Sequence, residues 1–183
     1  MRVLEPHLTT VPTIRRLDPA EADASIAALS DVLIDCVEGG ASVSFMAPLT
    51  RETADAFWRK VAERVATGRV DLLVAELDGR IVGTVHLVPA EPENQPHRAD
   101  VAKMLVHRDA RRCGVGRALM IAVEDIARVR GKTLLVLDTV TDGAGERMYQ
   151  GLDWVRVGVI PGYALFPDGS PCGATTFYKC IAP

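Results

Sequence analysis

One stretch of the sequence, residues 101–120, combines an apolar strand, a glycine-containing turn and an amphipathic helix. The apolar run ends at Val106, and the helix that follows has apolar residues at helical spacing. Between them, Gly114 and Gly116 allow a tight turn and a close approach of the backbone to a ligand. The first turn of such a helix offers unpaired N–H groups and the positive end of the helix dipole, which together bind phosphate. The stretch therefore predicts an α/β domain with a phosphate-binding turn.

Positive charge is concentrated at this turn, although the chain as a whole is acidic. Its 183 residues contain 21 Lys and Arg against 24 Asp and Glu, a net charge of −3. This balance argues against nucleic acid as the default partner. Four arginines nevertheless fall within the short segment 108–117: Arg108, Arg111, Arg112 and Arg117. Because arginines at a helix start oppose the dipole, they indicate a bound anion, with a solvated helix start as the alternative.

The residues around the glycines restrict the kind of phosphate ligand. A P-loop needs Lys followed by Ser or Thr after the glycines. A dinucleotide-binding turn needs a small residue where Leu119 stands. Neither condition is met, and the pattern present is R-x-x-G-x-G, formed by Arg111, Gly114 and Gly116.

Periodicity and turn residues predict the order β-α-α-β-β-β-α-β-α-β-β, an α/β domain with a mixed sheet. Asp18 begins a helix that is expected to run to about Cys36. Residues 1–12 are expected to be a flexible start, and residues 13–183 a single domain. Strands are predicted over 13–17, 72–77, 81–88, 100–106, 134–139, 155–160 and 175–181, and later helices over 50–68, 114–130 and 144–150.

The R-x-x-G-x-G pattern between a strand and a helix resembles the acetyl-CoA pyrophosphate motif of the GNAT superfamily of N-acetyltransferases. Ala144 to Trp154 resembles the family's second motif, with Trp154 in place of the usual Phe and Asp142 where Asn is common. In the order of its predicted elements, the resemblance covers roughly residues 13–181. It implies a mixed, mostly antiparallel sheet of about seven strands flanked by about four helices.

The resemblance implies acetyl-CoA as co-substrate and no metal. The end of the predicted strand would supply backbone groups to pantetheine, and the turn would hold the pyrophosphate. The cofactor-binding residues are then Met104, Leu105, Val106, Arg111, Arg112, Cys113, Gly114, Val115, Gly116 and Arg117. No base neighbours Cys113 in the sequence, so it is interpreted as incidental rather than as a nucleophile.

Three residues are candidates for the catalytic groups. Tyr149 falls on the family's general-acid tyrosine, and ordinary core packing is its alternative. Asp138 ends an apolar run where ligand sites of α/β sheets lie, and Asp100 begins the neighbouring strand. The resemblance implies that acidic residues at both places are involved in deprotonating the amine, through water. Asp138 capping a strand end and Asp100 being merely solvated are the alternatives. The lone histidines His86 and His107 are expected either to lie at the surface or to support neighbouring site residues, rather than to act in catalysis.

Four further segments, 39–46, 137–139, 161–163 and 167–169, resemble the tabtoxin resistance acetyltransferases. Those enzymes acetylate a small amino-acid-like toxin, which implies a small-molecule amine as acceptor and toxin or antibiotic resistance as a role. The acceptor-binding candidates are Val43, Ser44, Phe45, Met46 and Tyr163. Acetylation of a protein or peptide amine, and a non-catalytic acyl-CoA sensor, are the alternatives.

The cysteines and the start of the chain bear on location and partners. The four cysteines form no C-x-x-C pair, which argues against a zinc site and for free thiols in a reducing cytosol. Residues 1–16 have no apolar core of a signal peptide, and no run approaches the ~20 apolar residues of a membrane span. We expect a cytoplasmic protein without nucleic-acid or membrane partners, as a monomer or homodimer.

Overall fold

The computed structural model describes residues 11–182, and the predicted flexible start lies outside them except for Val11 and Pro12. The strands are β1 (Thr13–Arg16), β2 (Asp71–Leu77), β3 (Arg80–Pro89), β4 (Arg98–Val106), β5 (Leu134–Val140), β6 (Val155–Leu165) and β7 (Pro171–Cys180). The helices are α1 (Pro19–Ala24), α2 (Ile26–Glu38), α3 (Arg51–Ala66), α4 (Val115–Val129) and α5 (Ala144–Gln150). None of these helices is long and apolar enough to cross a membrane.

The strands form one sheet in the order β1-β2-β3-β4-β5-β7-β6, in which only β4 and β5 are parallel. This confirms the expected mixed, mostly antiparallel sheet of seven strands. The described residues contain five α-helices rather than four, because the helix predicted from Asp18 is broken at Ser25. Ser25 has a ψ of 0°, well away from the helical value of about −42°.

Apolar side chains on the two faces of the sheet build two core layers. Leu119 and Val123 of α4 pack on one face, together with Leu135 of β5. Leu33 of α2 and Trp58 of α3 pack on the other. Because side chains alternate along a strand, the central strands contribute to both layers.

The parallel strands β4 and β5 separate soon after they begin to pair. Their contact is limited to residues 98–100 of β4 and 134–136 of β5. Further along, β4 pairs only with β3, and a bulge places Lys103 at a φ of +50°. The backbone of β4 beyond Asp100 therefore borders a gap in the sheet, where its free polar groups are available to a ligand.

Of the two roles expected for His86, the surface one is wrong, because this side chain lies in the core. It is 4% exposed, and its ring lies 5.5 Å from that of Trp58. Within residues 11–182 its Nε2 has no hydrogen-bond partner. Burial, followed by the positive charges of Lys103 and Arg64, lowers the pKa of His86 to about 3. His86 is therefore neutral in the folded protein at physiological pH.

This histidine makes folding stability fall with acidification. Below pH 6.5, the model value for a free histidine, the unfolded chain binds a proton that folded His86 rejects down to about pH 3. The free energy of unfolding therefore loses up to about 1.4 kcal/mol per pH unit in that window. Urea unfolding between pH 7 and pH 5 should give a shallower pH slope for His86→Leu. Exposed His97→Leu is the control, and equal slopes for His86→Leu and the wild type would contradict the account.

Candidate active site

The glycine turn joins β4 to α4 through two residues with left-handed backbone conformation. Gly114 is the N-cap of α4 at a φ of +80°, and Arg112 has a φ of +62°. A side chain at Gly114 would strain that conformation, which explains the glycine. The first intrahelical bond joins the Ala118 N–H to the Gly114 carbonyl at 3.0 Å. The N–H groups of residues 115–117 precede it and have no intrahelical partner.

Gly116 is explained by packing between two helices as much as by a ligand. A Cβ at Gly116 would lie 3.0 Å from the sulfur of Met148 on α5 and 3.7 Å from that of Met104 on β4. The first distance is short for a Cβ contact and the second is ordinary, so a larger residue would require the Met148 side chain to shift. Met104 thus lies where the turn, the β4 edge and α5 meet.

The four arginines of the turn have different partners. Arg108 is ion-paired with the buried carboxylate of Asp35 on α2, which also accepts its backbone N–H at 2.8 Å. Arg111 donates to the Val106 carbonyl at 3.1 Å, and Arg117 donates to the Gly151 carbonyl at 3.3 Å. Arg112 makes no side-chain hydrogen bond or ion pair within residues 11–182. Of the four, Arg108 alone has a carboxylate partner within the described residues, and Arg112 has the side chain with no partner at all.

Asp35 is a site residue that the sequence analysis missed. It is 8% exposed, and the His107 Nε2 lies 3.5 Å from its Oδ1. An acidic residue within the apolar run of α2 was the available signal, since a buried carboxylate needs a partner. Through Arg108, Asp35 fixes the start of the turn to α2.

Other predicted cofactor residues contribute through their backbone at most. Leu105 and Val115 are 2% and 1% exposed, with their side chains in the two core layers. The Val106 carbonyl already accepts from Arg111 and from the Cys36 thiol, at 3.1 Å and 3.5 Å. Cys113 is exposed, and its thiol donates to the Arg111 carbonyl at 3.5 Å.

A cavity of about 180 Å³ opens beside the β4–β5 gap and brings both candidate carboxylates together. A space of this size suits a small molecule. Asp100 comes from β4, Asp138 from β5, and Tyr163 from the exposed edge strand β6. Its remaining lining residues are Val101, Ala102, Val136, Leu137, Ile160, Ala174 and Thr176.

The two carboxylates differ in their partners. Asp100 accepts a hydrogen bond from Arg98 Nη1 at 2.5 Å, and Gln95 in turn holds Arg98 Nε at 2.7 Å. Asp138 is exposed at the carboxyl end of β5, and within residues 11–182 its carboxylate accepts no hydrogen bond. Its negative charge nevertheless acts on both Lys103 and Tyr149. The unpaired carboxylate is therefore Asp138.

Tyr149 lies on α5, against the opposite core layer from α2 and α3. It is 5% exposed, and its ring is 6.0 Å from that of Phe177 and 6.1 Å from that of Trp154. Burial, followed by the negative charge of Asp138, raises the pKa of Tyr149 above its ordinary value. The phenol keeps its proton at physiological pH and can donate it.

The predicted acceptor-binding residues 43–46 lie in the loop between α2 and α3, called here the acceptor loop. This loop lies against the β6–β7 hairpin. The Ser42 hydroxyl donates to the Leu165 carbonyl at 2.7 Å, and the Ala47 N–H donates to the Pro167 carbonyl at 3.0 Å. Phe45 packs edge-on against Phe57 of α3 at 5.3 Å. Ser44 has a φ of +77°, a strained conformation for a residue other than glycine. Val43 is half-buried, whereas Met46 is 49% exposed.

The tryptophan that replaces the usual Phe of the second motif has a hydrogen-bonding role. Trp154 Nε1 donates to the buried carboxylate of Glu124 on α4 at 3.1 Å. Lys179 Nζ of β7 donates to the same carboxylate at 2.8 Å and to the Leu152 carbonyl at 2.8 Å. This network connects α4 to β7 and to the segment after α5. It thereby fixes the position of Trp154, whose ring packs near that of Tyr149.

Asp142 stands where the family's second motif commonly has Asn. Within the described residues it forms hydrogen bonds through its backbone rather than through its side chain. Its N–H donates to Glu146 Oε2 at 2.7 Å, at a φ of +60°. That hydrogen bond and, to a smaller extent, the hydrogen bond from Arg156 lower the pKa of Glu146.

Within residues 11–182, no group of three or more His, Cys, Asp or Glu side chains is arranged to hold a metal ion.

Comparison with known proteins bears on the family. Residues 41–153 match the model of the acetyltransferase (GNAT) family. An uncharacterised N-acetyltransferase from the hisH–hisA intergenic region of Azospirillum brasilense is 34% identical over 128 residues, which cover 69% of this chain and 74% of that protein.

Solved structures share the fold. The ribosomal-protein-alanine N-acetyltransferase of Brucella melitensis superposes with a TM-score of 0.77 at 22% identity, covering 92% of this chain and 99% of that one. The yncA protein of Salmonella typhimurium, solved with its cofactor acetyl-CoA, superposes with a TM-score of 0.75 at 20% identity, covering 95% and 98%. These likenesses concern the fold alone.

Proposed function

Because the chain belongs to the GNAT family of acetyltransferases, we propose that it transfers acetyl from acetyl-CoA to the primary amine of a small, amino-acid-like molecule. Transfer is direct, within a complex that holds both substrates. One observation carries this proposal: the glycine turn follows the same strand, β4, whose edge borders the cavity with Asp100 and Asp138. An anion-binding turn and an amine-binding cavity are thereby joined by one gap in the sheet.

The residues present fit acetyl-CoA. The free N–H groups of residues 115–117, the left-handed Gly114 and the unpaired Arg112 suit a pyrophosphate. The free backbone edge of β4, near Met104, suits the amide groups of pantetheine. Acetyl-CoA supplies an activated thioester, and these residues bind it and orient its carbonyl toward the cavity.

Proton transfers complete the reaction. The ammonium of the acceptor must lose a proton before its nitrogen can attack the thioester carbonyl, and Asp138 is the unpaired carboxylate available to take it, directly or through water. The departing thiolate needs a proton, which the buried Tyr149 phenol can donate. Asp100 is the second candidate base, with its charge balanced by Arg98.

The cavity favours a small acceptor. Its volume of about 180 Å³ accommodates an amino-acid-sized group, and a tabtoxin-like dipeptide would extend from it toward Tyr163. Resistance to such a toxin is a role consistent with this acceptor. A protein or peptide amine is the second candidate, because Tyr163 and Ile160 at the rim are 58% and 50% exposed. The Brucella relative is named for a ribosomal-protein alanine.

A panel of amines separates these functions. Release of the CoA thiol would be followed with amino acids, dipeptides, polyamines, aminoglycosides and an N-terminal alanine peptide. We expect turnover with amino acids or dipeptides. Turnover with the longer peptide alone would favour the second candidate. Acetyl-CoA that raises the Tm without turnover of any amine would indicate an acyl-CoA sensor and overturn the proposal.

We also propose a location and an assembly. The four free cysteines, Cys36, Cys113, Cys172 and Cys180, support a reducing compartment, the cytoplasm. The chain is proposed to be a monomer or homodimer, and the exposed apolar side chains of the edge strand β6 are the surface that a homodimer would cover. Light scattering on a sizing column distinguishes the two states.

Replacing Gly114 with alanine tests the turn. Gly114 and Gly131 both have left-handed backbone, at φ +80° and +67°, and a Cβ at either meets nothing within 4 Å. Gly114→Ala and Gly131→Ala should each cost about 1 kcal/mol of stability. Calorimetry should give about tenfold weaker acetyl-CoA binding for Gly114→Ala alone. Equal affinities of the two variants would remove the turn from the binding site.

A further inference from the structure

Lys103 is a charged residue of β4 that the mechanism does not use. It follows the lining residue Ala102 and sits in the bulge of β4, with a φ of +50°. Its ammonium donates to the Val43 carbonyl at 3.1 Å and to the Ser44 hydroxyl at 2.9 Å. It also lies 5.9 Å from the ring centroid of Phe57. The bulge therefore turns a cation toward the acceptor loop.

The charge of Lys103 lacks an anionic partner in the folded chain. Its partners are a neutral carbonyl, a neutral hydroxyl and an aromatic face, and within residues 11–182 it forms no ion pair. Burial lowers the pKa of Lys103, which expresses the cost of holding that charge away from water. A half-buried lysine in this position gains most from a carboxylate delivered by a ligand.

Charges of opposite sign lie around the acceptor site. Asp138 is close enough for its negative charge to act on Lys103, yet the two do not form an ion pair. Asp138 carries the charge that complements the ammonium of an amino acid, and Lys103 carries the charge that complements its carboxylate. A simple amine would leave the lysine unpaired.

We propose that Lys103 binds the carboxylate of the acceptor and thereby selects amino-acid-like amines over simple amines. This inference rests on the proposed function and extends it to a specificity-determining residue. The acceptor amine points to Asp138, while its carboxylate meets the ammonium beside Val43 and Ser44. The two contacts together fix the acceptor at both ends, so that its nitrogen faces the β4–β5 gap.

The competing role of Lys103 is to anchor the acceptor loop. Two variants separate charge from anchoring. Lys103→Met removes the ammonium and keeps an apolar stem, whereas Lys103→Gln keeps an N–H donor for Val43 and Ser44 without the charge. Lys103→Arg restores the charge. Exposed Lys60→Met on α3 is the matched control for the loss of a lysine elsewhere.

Each enzyme would be assayed with amino acids accepted in the panel and with their methyl esters, which keep the amine and lose the carboxylate. Because esterification changes the pKa of the amine, the quantity compared is the wild-type to variant ratio of kcat/KM for each acceptor. We expect Lys103→Met and Lys103→Gln to lose about tenfold on the acids, mainly through KM, and less than about twofold on the esters. Lys103→Arg should recover part of the loss.

Other outcomes overturn the inference. Equal losses on acids and esters would mean that Lys103 only anchors the loop. Wild-type preference for amines without a carboxylate would also overturn it, while the proposed acetyltransferase function would stand. Turnover of no amine at all, with acetyl-CoA still bound, is the distinct result that defeats the proposed function itself. Melting temperatures of all variants show whether a loss reflects unfolding.

Discussion

Asp138→Asn should lower kcat by about 10²–10⁴-fold, the usual contribution of a general base. The carboxylate of Asp138 lies at the carboxyl end of β5, borders the cavity and has no hydrogen-bond partner within residues 11–182. Asparagine keeps the shape of the side chain and cannot accept the proton of the ammonium. Steady-state rates at saturating acetyl-CoA and acceptor measure the effect.

A matched substitution at the other carboxylate separates the two candidate bases. Asp100→Asn is the matched control, because Arg98 already balances the charge of Asp100. We expect less than a tenfold loss for that control, about 1.4 kcal/mol. A large loss for Asp100→Asn with little for Asp138→Asn would reassign the base to Asp100.

Tyr149→Phe should lower kcat by about 100-fold and leave the Kd of acetyl-CoA within about twofold. Tyr149 is 5% exposed, and its hydroxyl makes no hydrogen bond within residues 11–182. Burial and the charge of Asp138 raise its pKa, so the proton stays on the phenol until an acceptor with developing negative charge arrives. The departing thiolate is such an acceptor.

The measurement pairs steady-state kcat with calorimetric affinity for acetyl-CoA. Tyr178→Phe on β7 is the matched control, since it removes a hydroxyl from a half-buried tyrosine outside the cavity lining. We expect its kcat to stay near that of the wild type. An unchanged kcat for Tyr149→Phe would instead assign this tyrosine to core packing against Phe177 and Trp154.

Local turn chemistry made much of the fold predictable. Asp78-Gly79 indicates a two-residue hairpin, and both residues have positive φ, 50° and 75°, as a type I′ turn requires. Prediction failed where a local signal was weak or overridden. Ser25 interrupts a helix whose apolar periodicity continues through it. Strand β6 extends beyond Ile160 to Leu165, because a bulge on an edge strand tolerates proline and glycine.

The candidate site also has parts that local sequence predicts and parts that it does not. The glycine turn and the ends of β4 and β5 follow from neighbouring residues, so their positions could be predicted. Asp35 meets Arg108 across 73 positions of sequence, and Lys103 meets Ser44 across 59. Such pairs depend on how α2 and the acceptor loop pack on the sheet. No local pattern specifies that packing, and the bulge that turns Lys103 toward the loop has no strong residue signature.

Acetyl-CoA labelled in its acetyl group with carbon-13 tests the central claim most directly. The protein would be incubated with it and with the amino acid that gives the fastest CoA release, and the products analysed by mass spectrometry and NMR. The account predicts the label in an amide on the acceptor nitrogen, formed in step with free CoA, and almost none with Asp138→Asn. Label that stays on CoA while the protein binds it, with every amine of the panel unmodified, would contradict the account.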